Sequence, residues 1–247
     1  MTPFDQAALV YEEFSAGPFR QHLEFPSVLG LLGDMSQLRV LDMGCGNGVY
    51  SRMLARAGAG HVLGTDASRG MIEHARDREA KDRLGINYLT GSLPPALAGT
   101  FDLVLGVYVL PYATTHDELT ALCRSAADAL RPGGRFVTLP VHPEVAYDAD
   151  HYARYGFRLH LDPPLTDGSP LELELSPGGG HELRVTARYW SAAALEKALA
   201  DAGFGPVRWQ SHRLAPAAAA RPAEFWAPYL SAPHAAILDT RKEFTGP

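Results

Sequence analysis

The sequence predicts an α/β chain built on a doubly wound, mostly parallel sheet, with a helical flap before it and a small antiparallel β insertion after its fifth strand. Three observations carry that expectation. From residue 39 to residue 141, short and nearly continuous apolar runs alternate with helical patterns at the spacing of βαβ units. The first run ends in an acid, and glycine then stands at every second position, at Gly44, Gly46 and Gly48. After Val141 the rhythm changes to alternating strands separated by Pro163-Pro164, Asp167-Gly168 and Gly178-Gly179-Gly180.

Residues 1–38 come before the first strand. Residues 7–14 read as a short helix with Leu9, Val10 and Phe14 on one side, broken by Gly17-Pro18, and a second helical stretch follows over 19–32. This part is either a cap over a sheet edge or a flap carrying Tyr11, Phe14, Phe19 and Arg20 across a pocket mouth.

Strands are expected at 39–43, 61–65, 86–90, 101–108 and 135–141, with helices at 49–57, 68–83 and 116–130. The last helix opens on the capping box Thr115-His116-Asp117-Glu118 and stops before Pro132-Gly133-Gly134. Uniformly apolar strands are what a sheet covered on both faces requires. Residues 142–155 are aromatic, charged and irregular; strands follow at 157–161, 171–175 and 183–189, laid over the mouth of the sheet. Ser191 caps a helix through Ala202, closed by Gly203. A strand at 206–213, a loop at 214–222, Glu224-Phe225-Trp226 and a helical piece near 234–242 complete the chain. We read residues 1–247 as one domain: cap 1–38, ligand-binding core 39–141, substrate-side insertion 142–190, and completion of the sheet with a tail at 191–247.

At 247 residues and 46% hydrophobic, the chain holds one sizeable domain with an elaboration, not two large ones. A formal charge of −6 gives no general attraction to nucleic acid or anionic lipid, and no apolar run approaches a membrane span. With no basic-then-apolar leader, Cys45 and Cys123 are expected to be reduced thiols in the cytoplasm. The ten histidines show no metal-ligand spacing, so no metal is expected.

The chemistry begins at the glycines. Gly44-Cys45-Gly46-Asn47-Gly48 is G-x-G-x-G, and Val49 stands where the third glycine of a dinucleotide fingerprint would fall. Such a turn brings backbone close to a ligand at a helix start. The second strand ends Gly64-Thr65-Asp66, an acid placed to accept hydrogen bonds from a ribose diol. The third ends Thr90-Gly91-Ser92-Leu93, where a polar side chain could reach an adenine edge. Side by side, these strand ends describe an adenosyl site without a pyrophosphate.

The chain resembles the class I S-adenosylmethionine-dependent methyltransferases, whose sheet is Rossmann-like. The resemblance rests on the run from Val40 to Gly48, Gly64-Thr65-Asp66-Ala67-Ser68 with Met71, Phe101-Asp102-Leu103-Val104, and Leu130-Arg131-Pro132-Gly133-Gly134. More narrowly it is similar to toxoflavin-synthase-type small-molecule methyltransferases, on Tyr11, Pro18-Phe19-Arg20, the run from Leu31 to Asp34, Tyr108 to Tyr112, and Glu224-Phe225-Trp226. The resemblance implies that Gly44, Gly46 and Gly48 run under the methionine part of S-adenosyl-L-methionine, with Asp42 behind them. It implies Asp66 on the ribose, Ala67, Met71 and Leu93 around the adenine, and Ser92 at its amino group in place of the aspartate many members carry. Val107 and Tyr108 would lie beneath the sulfonium, and Tyr11 and Arg20 would reach the cofactor's carboxylate.

The expected reaction is methyl transfer to a nitrogen, or to an oxygen, of a small and planar metabolite, leaving S-adenosyl-L-homocysteine, in a monomer or homodimer. Base candidates are His142, His151, Tyr108 and Tyr112. Phe14, Tyr112, His151, Tyr152 and Trp226 are the expected acceptor contacts. O-methylation with His142 as base, a non-catalytic cofactor-binding protein, a nicotinamide dehydrogenase and a cyclase are the alternatives.

Overall fold

The computed structural model describes residues 3–177 and 182–244. Its elements open with α1 (Pro3–Ser15), a π-helical turn (Arg20–Glu24) and α2 (Phe25–Leu32). Then come β1 (Arg39–Met43), α3 (Val49–Arg56), β2 (His61–Asp66), α4 (Arg69–Asp82), β3 (Asn87–Thr90), β4 (Phe101–Val107), α5 (His116–Ala129) and β5 (Leu130–Leu139). The insertion supplies β6 (Phe157–Leu161), β7 (Pro170–Leu175) and β8 (Leu183–Arg188). The chain closes with α6 (Ala192–Asp201), β9 (Arg208–Gln210), α7 (Ala223–Ser231) and β10 (Ile237–Arg241).

Seven strands form the main sheet in the order β3-β2-β1-β4-β5-β10-β9. β1 to β5 are parallel, and β10 runs antiparallel between β5 and β9. The winding reverses between β1 and β4, so a crevice opens beyond the carboxyl ends of those two strands. Side-chain caps start the helices: Thr115 accepts from the Glu118 N–H at 3.2 Å, Ser68 from Met71 at 3.3 Å and Ser191 from Ala194 at 3.2 Å.

Each face of the sheet is buried. On one, Phe136, Leu130 and Leu238 pack with Leu119 and Cys123 of α5 and with Leu195 and Leu199 of α6. On the other, Val40, Leu103 and Val137 pack with Tyr50, Leu54, Ile72 and Val28 from three helices. A further core lies outside the sheet. Phe14, Phe19 and Leu23 of the cap meet Tyr152, Phe157, Trp226 and Tyr229, so cap, insertion and α7 share one interior although they are far apart in sequence.

Two expectations need correction. Residues 234–242, read as helical, hold β10, whose Ile237, Leu238, Asp239 and Thr240 are all buried. A strand covered on both faces loses the alternation that marks a strand, and its one acid, Asp239, is neutralised by Arg135 at 2.8 Å and Arg208 at 2.9 Å. The strand expected at 206–213 is only Arg208–Gln210. The Gly178-Gly179-Gly180 turn lies outside the described residues. Among the described residues no helix is long and apolar enough to cross a membrane.

Candidate active site

β1 delivers the chain into the glycine turn, and Cys45 continues its ladder by donating to the Thr65 carbonyl at 2.9 Å. Gly44, Gly46 and Gly48 have φ of 67°, 54° and 78°, the left-handed region that only glycine enters without strain. The three differ in their surroundings. A Cβ on Gly44 would lie 2.5 Å from Val109 Cγ2, and one on Gly48 2.5 Å from the Tyr88 hydroxyl, whereas one on Gly46 would meet open space. A side chain is thus blocked at Gly44 and Gly48, while the Cβ side of Gly46 is open.

Asp66, at the end of β2, is bound to that open glycine. Its Oδ2 accepts from the Gly46 N–H at 2.8 Å and its Oδ1 from the Ser68 N–H at 2.8 Å. Each carboxylate oxygen keeps a lone pair for an incoming hydroxyl. Asp42 lies behind the turn, buried, accepting from Ser51 Oγ at 2.5 Å. Burial first, and the nearby Asp66 charge, raise its carboxyl to about 7.

Helix α1 is seated on this turn. Asn47 Nδ2 donates to the Ala8 carbonyl at 3.1 Å, and Arg52 donates to the Asn47 carbonyl at 2.7 Å and pairs with Glu12 at 2.9 Å. Ala7 and Ala8 pack on Met71, with Tyr11 and Leu183 beside them. Tyr11 is thereby brought against Tyr112 near Asp66; burial, and then their charges, push its phenol pKa up. Burial and Asp66 raise that of Tyr112, whose residue as a whole stays 57% exposed. Glu12, Asn47 and Arg52 were missed by sequence reasoning; only Asn47 stood inside a motif.

At the end of β4, Tyr108 has φ 57°, a conformation that costs a non-glycine residue about 1–2 kcal/mol. Its hydroxyl donates to Glu24 Oε2 and lies 3.2 Å from His234 Nε2. Glu24 Oε1 accepts from the Tyr50 hydroxyl at 2.8 Å and pairs with Arg20 Nε at 2.8 Å. His234 Nδ1 lies 2.9 Å from the Tyr229 hydroxyl. Burial raises the phenols of Tyr50, Tyr108 and Tyr229 well above 10, with Glu24 the next cause, and holds His234 well below 6.5. Tyr108 is thus a neutral phenol with its proton committed, a poor base. Arg20 is buried on Glu24 with its guanidinium 4.7 Å from the Phe25 ring and 5.3 Å from that of Tyr50. Its charge is already matched, which turns it from the expected carboxylate ligand into a structural cation. Glu24, His234 and Tyr229 carried no sequence signal.

The other expected residues divide. Ala67 and Ser92 are exposed at the strand ends, and Leu93 and Val107 are half-buried there. His142 follows β5, its Nδ1 accepting the Glu144 N–H at 3.0 Å and its ring 6.4 Å from Trp209 in the outermost strand. Burial lowers its pKa, and because Nδ1 accepts, Nε2 of the neutral ring carries the proton. His151 Nε2 lies 3.0 Å from the Pro228 carbonyl, to which it donates. Phe14, Tyr152 and Trp226 do not line a crevice: they are 7%, 0% and 1% exposed inside the cap–insertion core. Tyr152 donates to the Ala232 carbonyl at 2.9 Å and Trp226 to that of Ala218 at 3.2 Å, so both are satisfied internally.

A family model described as a methyltransferase domain matches residues 40–134. The ubiquinone biosynthesis O-methyltransferase of Ruegeria pomeroyi is 40% identical over 113 residues, 45% of this chain and 44% of that one. This chain therefore spans less than half the length of that relative. Among solved structures, an S-adenosylmethionine-dependent methyltransferase from Mesorhizobium loti superposes with a TM-score of 0.61 at 22% identity, covering 93% of this chain and 100% of the other. The magnesium protoporphyrin IX methyltransferase of Synechocystis PCC 6803 with bound S-adenosylhomocysteine gives 0.60 at 21% identity, covering 97% and 94%. These identities speak for the fold. Residues 40–134 thus match a methyltransferase domain, and the chain shares its fold with S-adenosylmethionine-dependent methyltransferases of known structure.

Proposed function

We propose that this chain transfers a methyl group from S-adenosylmethionine to a nitrogen of a small, planar heteroaromatic acceptor. The observation that carries the donor half is the Asp66 carboxylate held on the Gly46 N–H, beside a glycine whose Cβ side is open. A residue with a side chain at Gly46 would fill that space, so the donor set fits an adenosyl group lying on the turn. Gly46 would supply backbone contact, Asp66 the ribose contacts, and Met71 and Leu93 apolar walls. When bound, this cofactor supplies an already activated methyl group on a sulfonium.

The chain's own task is then to orient the acceptor and exclude water. α1 and the insertion cover the turn, with Tyr11 and Tyr112 at the mouth. Nitrogen is favoured because the Tyr108 proton is committed to Glu24 and the Nδ1 lone pair of His142 is engaged by the Glu144 N–H, while a neutral ring nitrogen needs no strong base. The narrower resemblance to toxoflavin-synthase-type enzymes supports a heteroaromatic ring. Oxygen is the second reading, supported by the O-methyltransferase names of the relatives.

Incubation with labelled S-adenosylmethionine across a panel of heteroaromatic amines and phenols tests this directly. Label is expected on nitrogen, and none on any amine would overturn the first reading. Asp66→Ala is expected to weaken cofactor binding on the order of 10- to 100-fold, since hydrogen bonds to a charged group contribute about 1.5–3 kcal/mol. Unchanged affinity would refute the ribose placement.

A further inference from the structure

Four departures from ordinary structure meet at one point. Arg20–Glu24 is a π-helical turn, a rare form that concentrates at functional sites. Glu24 is wholly buried and charged against Arg20. Tyr108, a non-glycine residue, holds a left-handed backbone where β4 ends. His234 is buried with both ring nitrogens beside phenol oxygens, at 3.2 and 2.9 Å.

Proton bookkeeping fixes the direction of these contacts. Tyr108 has one O–H, and it goes to Glu24. Its oxygen therefore accepts from His234 Nε2–H, and Nδ1 of that neutral ring accepts from the Tyr229 hydroxyl. The chain of bonds runs from the cap, through the residue after β4, to α7 and the segment before β10.

We propose that Glu24 is a positioning residue for methyl transfer: its carboxylate, through Tyr108 and His234, locks the backbone and ring of the residue that ends β4, so that the cap and the C-terminal segment hold the floor of the acceptor site as one unit. This rests on the reading of the β4 end as the place of methyl transfer. Tyr108 is then selected for the geometry it enforces, since its proton is committed elsewhere.

The test uses the full chain with histidine labelled in its ring nitrogens, and S-adenosylhomocysteine as probe. His234 is expected to show the Nε2–H form, to shift when the probe binds, and to lose that response in Tyr108→Phe. A His234 signal indifferent to a probe that does bind would overturn the proposal and leave the cofactor site standing; a probe that does not bind would instead count against the proposed function and remove the proposal's footing with it. For turnover, Tyr108→Phe and His234→Asn are each expected to lower kcat about tenfold, with acceptor KM and probe affinity within about threefold, and the double variant to be no slower than either. Glu24→Gln is made together with Arg20→Met, so that no lone buried charge prevents folding. It should slow the enzyme only while the Tyr108 hydroxyl is present. Losses that multiply across these pairs would overturn the proposal.

Discussion

Two regions of this molecule are built on opposite principles. The crevice floor at β1 and β2 is made of backbone: Gly46 and Ser68 N–H groups on Asp66, and glycines whose conformation no other residue adopts without strain. The cover is made of side chains drawn from the cap, the insertion and α7, with Phe19 ringed by Tyr229 at 4.9 Å, Phe157 at 5.4 Å and His234 at 5.6 Å. Backbone chemistry is local, so it leaves a motif. A converging side-chain core leaves none. The same difference predicts how each region fails: the floor by losing its ligand, the cover by losing its packing.

The sharpest way to break that contrast is Trp226→Ala. Trp226 is 1% exposed, with its ring 6.2 Å from that of Tyr155 and 4.7 Å from that of Phe225. If the cover is a core, removing the indole leaves a cavity and destabilises the fold by about 3–5 kcal/mol. Denaturant unfolding should show that loss, while acceptor KM measured well below the transition stays nearly unchanged. A raised KM with an undiminished unfolding midpoint would instead make Trp226 a wall of the acceptor pocket.

The contrast also explains what could be read in advance. The five parallel strands, the capped helices and the turn-plus-Asp66 arrangement follow from apolar runs, Ser or Thr caps and glycine spacing, all of them properties of neighbouring residues. β10 was misread because it is buried on both faces and its Asp239 is neutralised by Arg135 and Arg208, from β5 and β9. Glu24 and His234 look unremarkable in the chain, because Tyr108, the partner they share, lies 84 residues from the first and 126 from the second. Tyr152 and Trp226 were visible as aromatics, but which wall an aromatic faces is decided by tertiary packing.

A second and smaller effect tests the floor through its acid behind the turn. Asp42 ionises near 3.8 in the unfolded chain and at about 7 in the fold. Between those values the native state holds the extra proton, so this group's contribution to stability falls as pH rises through the window. His234 acts with the opposite sign: held well below 6.5, it takes up a proton on unfolding, and stability falls as pH drops beneath that value. In wild type the two slopes oppose each other between about pH 4 and 6.5. Asp42→Asn keeps an oxygen for Ser51 Oγ–H and removes one slope. The variant should unfold at a midpoint close to wild type near pH 5 and be more stable by on the order of 2 kcal/mol at pH 8. Parallel pH profiles for the two proteins would show that Asp42 is ionised without penalty.

The smallest effect locates the boundary between the two regions, which runs through α1. Its Phe14 lies in the cover, 5.9 Å from Phe157, while Ala8 and Glu12 are bonded to the turn through Asn47 and Arg52. Glu12→Gln removes the charge from the second attachment and leaves the first intact. Arg52 is nearly buried but Glu12 is 31% exposed, so solvent screening limits the loss to about 1 kcal/mol. That is too little to move global unfolding far, yet it acts where α1 meets the turn. Amide exchange along α1 should quicken by several-fold to about tenfold, and S-adenosylhomocysteine should bind more weakly, with the unfolding midpoint within a few degrees of wild type. If exchange quickens equally in β6 and α7, the helix and the cover open together, and α1 belongs to the cover throughout. If it quickens in α1 alone, the seat on the turn is a separate hinge, and access to the floor is controlled by the bonds that Glu12 makes there.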